Sequence, residues 1–211
     1  MGVERTWYAH QAPKATLHPV LQDCQTTDVC IVGGGLAGLF LARSLADRGI
    51  PSILIEARRI GAGASGRNGG FCSPGWAAGN AAIEKKLGQS SARILFELSQ
   101  EGCLMVLDAL QGADADLARG KLQVSTFDAA DALQRTRDRL AHSYGYDLEY
   151  LDSEAVRSLL DSRRYYQGLR DPRAFDCDPL QLCRAVAATL DPSSTLLFEE
   201  TPALGLSLIH I

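Results

Sequence analysis

Apolar residues fall in short unbroken runs at two places early in the chain, Cys30-Ile31-Val32 and Ile53-Leu54-Ile55. Such a run, with no polar alternation, is the pattern of a parallel strand buried on both faces. Between the two runs Leu36, Leu39, Phe40, Ala42, Leu45 and Ala46 recur at helical spacing, and Gly49 marks the stop. Strand, helix and strand in that order make a βαβ unit. Beyond it, Leu87, Ile94, Leu95, Leu98, Met105, Val106 and Leu110 predict helix from Ile83 to Leu110, interrupted near Gly102. Lys121–Phe127 alternates like a strand, and Asp128 is expected to cap a helix that Gly145 stops after Tyr144. Asp152 or Ser153 should cap a short helix through Leu160, and Tyr165–Leu169 is a candidate strand. Asp178 before Pro179 is a sound N-cap for a helix to Leu190. A strand at Thr195–Glu199 then restores the βαβ rhythm.

The turn after the first strand carries the first chemistry. Gly33, Gly35 and Gly38 have the G-x-G-x-x-G spacing of a dinucleotide-binding turn, with Leu36 and Ala37 opening the helix. The unpaired N–H groups and positive dipole end of that helix would face a pyrophosphate. Glu56, followed by Ala57 and Arg58, ends the second strand about twenty residues on, where an acid accepts from ribose hydroxyls. That acid suits NAD and FAD equally and would repel the 2′-phosphate of NADP. Residues 61–70 then hold five glycines together with Ser65, Arg67 and Asn68, and end in Gly69-Gly70. Such a stretch suits a backbone laid against a flat or phosphorylated ligand, although composition alone also fits a flexible surface loop.

The runs Asp28–Gly35, Leu54–Arg59 and Gly63–Gly70 together resemble the N-terminal half of the FAD-dependent amine and amino-acid oxidases, the D-amino-acid oxidase-like flavoproteins. The Ala64–Gly70 wording and the Trp7-Tyr8 extension are most similar to the gamma-glutamylputrescine oxidase branch. The resemblance is sharp between Thr27 and Phe71. It implies an α/β fold: a Rossmann-like FAD-binding domain of the D-amino-acid oxidase type, with part of an inserted α+β substrate domain, truncated at the C-terminal side. It implies FAD as cofactor, with cofactor-binding roles for Gly33, Gly35, Leu36, Ala37, Gly38, Glu56, Ala57, Arg58, Ser65, Arg67, Asn68, Gly69 and Gly70. The implied organisation is an N-terminal extension (1–27), a first part of the FAD-binding domain (28–80), the beginning of the substrate domain (81–172) and a second, incomplete FAD-binding part (173–205). Relatives commonly carry His-Pro where this chain has Asp178-Pro179, so Asp178 is expected to act only as a cap.

The implied reaction takes the CH–NH bond of a small amine or amino acid to an imine, with the flavin reoxidised by oxygen or another acceptor. The alternatives are an NAD-dependent dehydrogenase and a non-catalytic dinucleotide-binding fragment. Relatives continue for about as much sequence again, so the chain by itself is expected to be inactive, with its catalytic residues elsewhere. The last six residues, Leu206–Ile211, match one reading frame of a sequencing-library adaptor, and His210 is accordingly not a site residue.

Composition narrows the classes further. Apolar residues at 46% and charged residues at 22% of 211 permit a sizeable core. A net charge of -4 argues against nucleic acid, and no apolar run reaches bilayer length. The six cysteines show no C-x-x-C pair and no metal spacing, so reduced thiols in a cytoplasmic protein are expected, with Cys30 and Cys183 buried. Cys72, close behind the glycine loop, is expected to be an unmodified, partly buried thiol. Trp76, Tyr165 and Tyr166 are candidate pocket walls.

Overall fold

The computed structural model describes residues 6–11, 16–113 and 116–207, so His210 lies outside the described residues. The chain divides into two compact units. One is formed by the described residues within 1–70, 108–116 and 177–211, the other by residues 71–107 and 117–176.

The first unit is built on a parallel sheet in the order β1-β2-β7, with β1 Val29–Val32, β2 Ser52–Ile55 and β7 Thr195–Phe198. Helix α2 (Leu36–Ala46) connects β1 to β2, as the apolar spacing predicts. The central strand β2 is buried through Ser52, Ile53 and Leu54, and Ser52 Oγ lies 3.3 Å from Thr195 Oγ1 on β7. Strand β1 departs from expectation. Only Ile31 is buried, while Cys30 and Val32 are exposed. Side chains alternate between the two faces of a strand, so the exposure of Cys30 and Val32 marks one face of β1 as uncovered while Ile31 points to the packed one.

Helix α7 (Pro179–Ala188) buries Leu180, Leu182, Cys183 and Val186, and Asp178 caps it by accepting from the Leu180 and Gln181 N–H groups at 2.8 and 3.0 Å. A short helix the apolar pattern did not announce, α1 (Trp7–Gln11), starts where Thr6 Oγ1 accepts from Ala9 N–H at 3.2 Å. Tyr8 and Ala9 of α1 pack on Ala62 and Leu180.

The second unit centres on the nine-residue strand β6 (Gly168–Asp176). Strand β4 (Ala118–Val124) pairs antiparallel along one edge of it, while β5 (Glu149–Leu151) and β3 (Phe71–Cys72) pair at the two ends of the other. The register shifts between Arg119 and Lys121, opposite the stretch of β6 that holds Pro172, which has no N–H to give a ladder. Helices α3 (Asn80–Leu87), α4 (Gln89–Ala109), α5 (Ala130–Tyr144) and α6 (Ser153–Leu160) complete the unit.

Four sequence expectations shift here. The helix over 83–110 breaks at Gly88, and α4 runs unbroken through Gly102. One helical glycine costs only about 1 kcal/mol, which a continuous apolar face offsets. The strand expected at Tyr165–Leu169 is β6, beginning at Gly168, and β4 lies three residues earlier than the alternation placed it. Ser125 Oγ donates to Phe127 O at 2.7 Å and turns the chain after Val124. The N-cap of α5 is Ala129 rather than Asp128. Its N–H donates at 3.0 Å to Oε1 of the buried Gln167, whose Nε2 donates to Asp128 at 2.9 Å. Among the described residues, no helix is long and apolar enough to cross a membrane.

Candidate functional site

The glycine turn is held first by the sheet. Gly33, at φ +110°, donates its N–H to Ile55 O on the neighbouring strand at 2.8 Å, so the turn starts level with the end of β2. Glu56 then folds back: one carboxylate oxygen accepts from Gly34 N–H at 2.8 Å and the other from Arg58 N–H at 2.9 Å. Each oxygen keeps a second lone pair, enough to accept from the two hydroxyls of a ribose.

Gly38 is set by close approach. A Cβ there would stand 2.1 Å from Gly33 O, so the first turn of α2 lies directly against the loop only because residue 38 lacks a side chain. No side chain caps α2 at Gly35. Instead the Leu36 N–H donates to Ser65 Oγ at 3.0 Å. The second glycine-rich stretch therefore reaches the mouth of the first. By helix geometry the next N–H groups, of Ala37 and Gly38, also open toward that mouth.

The second stretch is folded on itself. Gly61 N–H donates to Gly34 O at 2.9 Å, and a short 3-10 turn over Ala64–Gly66 follows. Asn68 Nδ2 donates to Ser65 O at 2.9 Å and its Oδ1 accepts from Gly70 N–H at 2.8 Å, so this side chain braces its own loop. Gly70 combines φ +72° with a Cβ position only 2.0 Å from Cys177 O, and its carbonyl accepts from Cys177 N–H at 3.2 Å. Ala57, Arg58, Arg67 and Gly69 lie on the exposed side of these two stretches.

One residue that the sequence pattern marks only as the end of a strand matters here. Glu199 is 3% exposed and accepts from Ile60 N–H at 2.7 Å, Arg59 Nη1 at 3.1 Å and His18 N–H at 3.2 Å. It anchors the start of the glycine-rich stretch to the end of β7 and to the N-terminal extension. Its signal was present: Ile55 and Phe198 are register partners, so Glu56 and Glu199 each follow an apolar strand by one residue.

The second unit contains a cavity of about 370 Å³ whose walls include Trp76, Phe96, Tyr144, Tyr146, Leu169 and Asp171. Trp76 is thus a wall, while Tyr165 and Tyr166 are not among the lining residues. The buried Asp171 carboxylate accepts from Tyr146 Oη at 2.8 Å and from the Arg173 and Ala174 N–H groups at 3.0 and 3.2 Å. Those two N–H groups lie where the β4–β6 register shifts. Burial first, and then the bond to Asp171, push the Tyr146 phenol far above its ordinary value. The Arg173 guanidinium stacks 3.7 Å over the Tyr146 ring. Among the described residues, no group of three or more His, Cys, Asp or Glu is placed to hold a metal ion.

Comparison with known proteins adds to this geometry. Residues 28–210 match the DAO family, described as FAD dependent oxidoreductase. The chain is 36% identical over 180 residues to a gamma-glutamylputrescine oxidoreductase of Escherichia coli, covering 84% of this chain and 42% of that protein. It is 32% identical over 203 residues to the probable oxidoreductase OrdL of Rhizobium meliloti, covering 94% of this chain and 47% of that protein. Among solved structures, a glycine oxidase from Bacillus cereus superposes with a TM-score of 0.65 at 20% identity, over 88% of this chain and 49% of that one. The chain thus spans about half the length of the relatives it matches.

Proposed function

This chain belongs to the DAO family of FAD dependent oxidoreductases, and on that premise we propose that the protein it represents oxidises the CH–NH bond of an amine or amino acid to an imine. The observation that carries the reading is the bond from Leu36 N–H to Ser65 Oγ, which brings two bare stretches of main chain to one helix N-terminus. A cofactor whose pyrophosphate and ring system must both lie against backbone suits that arrangement. In this reading Gly33, Gly35, Leu36, Ala37 and Gly38 would hold the pyrophosphate, and Glu56, Ala57 and Arg58 the adenosine ribose. Ser65, Arg67, Asn68, Gly69 and Gly70 would lie along the pyrophosphate and ring end. Bound FAD supplies the two-electron acceptor. The chain's own residues bind it, orient it and exclude water along the glycine-rich backbone.

We assign the first unit to FAD binding and the second to the beginning of a substrate domain, in a cytoplasmic protein. The sequence likeness to a gamma-glutamylputrescine oxidoreductase makes amines of that kind the first substrates to test. Alone, the chain is proposed to be inactive because its relatives are about twice as long.

The test is the visible spectrum of the purified chain after reconstitution with FAD and removal of excess. A retained flavin band that Glu56→Ala weakens is the expected result. A chain that retains no flavin, or a Glu56→Ala variant that retains it undiminished, would overturn the assignment. Bleaching of the flavin by gamma-glutamylputrescine in the full-length protein tests the substrate class separately.

A further inference from the structure

The N-terminal extension is tied to the glycine-rich stretch at two points. At the first, Glu199 joins them. Its N–H donates to Pro19 O at 3.1 Å, and its carboxylate accepts from His18 N–H at 3.2 Å and from Ile60 N–H at 2.7 Å. At the second, Tyr8 and Ala9 of α1 pack on the buried Ala62 and Leu180. Leu180 in turn lies against both ends of the turn that carries Ser65. A Cβ added at Gly61 or Gly66 would stand 3.0 or 3.1 Å from Leu180 Cδ1. Gly66 N–H closes that turn on Gly61 O at 3.1 Å.

Neither segment is built to hold its shape alone. Residues 61–70 contain five glycines, which lose more backbone freedom on ordering than any other residue and bring no side chain to anchor them. Helix α1 has five residues, far too few to persist in water by itself. Contact between them orders both.

On the premise that the glycine-rich stretch holds FAD, we propose that α1 is a clamp on that stretch, so that docking of Tyr8 and retention of FAD are coupled. Tyr8 is a positioning residue and acts through its neighbours. Its ring on Ala62 and Leu180 steadies the turn from Gly61 to Gly66, and the turn presents Ser65, whose Oγ accepts from Leu36 N–H at 3.0 Å at the mouth of α2. The coupling is reciprocal by thermodynamic necessity. If docked α1 favours bound FAD, then bound FAD favours docked α1 by the same factor.

The experiment measures hydrogen exchange and FAD affinity in the full chain. In the flavin-free protein, Tyr8→Ala should speed exchange at the Gly61 and Gly66 amides, whose bonds to Gly34 O and Gly61 O fix the turn. The same variant should raise the FAD Kd about tenfold, read by flavin fluorescence, while Tyr8→Phe, which keeps the ring, should retain the wild-type value. In the wild type, saturating FAD should slow exchange at the His10 amide, which is bonded to Thr6 O, by a similar factor. A helix that only covers apolar surface would not answer to flavin. A wild-type chain that binds no FAD would overturn the FAD assignment and the clamp together. Where FAD binds, the clamp alone falls if Tyr8→Ala leaves the Kd or the Gly61 and Gly66 exchange unchanged, if Tyr8→Phe loses as much as Tyr8→Ala, or if His10 exchange ignores the flavin. The wild-type His10 measurement decides the question even if Tyr8→Ala does not fold.

Discussion

The two units build their cavities from opposite materials. In the first, the candidate cofactor site is made of main chain: Leu36 N–H, Gly34 N–H, Gly61 N–H and Gly33 O stand at close quarters because glycines leave room between them. In the second, the cavity is made of side chains, with Phe96, Tyr144 and Tyr146 packed edge-on or tilted and an acid bonded to the hydroxyl of one of them. A backbone site fails when an atom is added. A side-chain site fails when one is removed.

That contrast can be broken by four variants. The largest effect belongs to Gly70→Ala, where a methyl group meets Cys177 O at 2.0 Å in a left-handed backbone. A loss of about 4 kcal/mol in chemical denaturation is expected, combining strain with overpacking. An effect under about 1 kcal/mol would show that the glycine-rich stretch yields easily, contrary to the backbone reading.

Next comes Glu199→Gln, which keeps the shape but removes a buried charge from Arg59 and can set an amide against the Ile60 or His18 N–H. A loss of about 3 kcal/mol is expected by the same measurement, since the buried carboxylate loses charge-assisted bonds and the amide leaves a backbone N–H unsatisfied, while Arg59, 39% exposed, keeps its pair with Glu200. A neutral result would mean that the first unit does not depend on this side chain at all.

In the second unit, Tyr146→Phe deletes one hydroxyl and strips the buried Asp171 of its side-chain donor. About 2 kcal/mol is expected for a hydrogen bond to a charged acceptor. Calorimetry of both this variant and Gly70→Ala would show whether one unit melts before the other.

The smallest effect is confined to alkaline solution. Burial, and then the bond to Glu84, raise the Tyr144 phenol from 10.0 to about 12. A folded-state value above the unfolded one means a contribution fully present below pH 10 and lost as pH climbs toward 12. Tyr144→Phe should flatten that part of the stability profile, followed by tyrosinate absorbance during alkaline unfolding. An unchanged profile would exclude Tyr144 as its source.

Much of the first unit was legible from residue order because its instructions are local. Glycine spacing, an apolar run and an acid at a strand end each act within a few residues of where they are written. Even so, an apolar run does not say whether both faces of its strand are covered, and the exposure of Cys30 and Val32 shows that one face of β1 is not. The second unit was read less well. The helix break expected at Gly102 belongs to Gly88, and the N-cap residue of α5, Ala129, is held by Gln167, which lies far along the chain just before β6.

Residue order by itself determined the βαβ unit, the dinucleotide-type turn, the Asp178 cap and the likeness to a flavoprotein family. Only the tertiary structure decided that Ser65 occupies the N-terminus of α2 and that Glu199 anchors Arg59 and Ile60. It also set the Tyr146 hydroxyl against the Asp171 carboxylate. The reason is physical. A glycine declares its backbone freedom wherever it stands, whereas a hydrogen bond between distant side chains exists only after packing has fixed both ends and excluded the competing water.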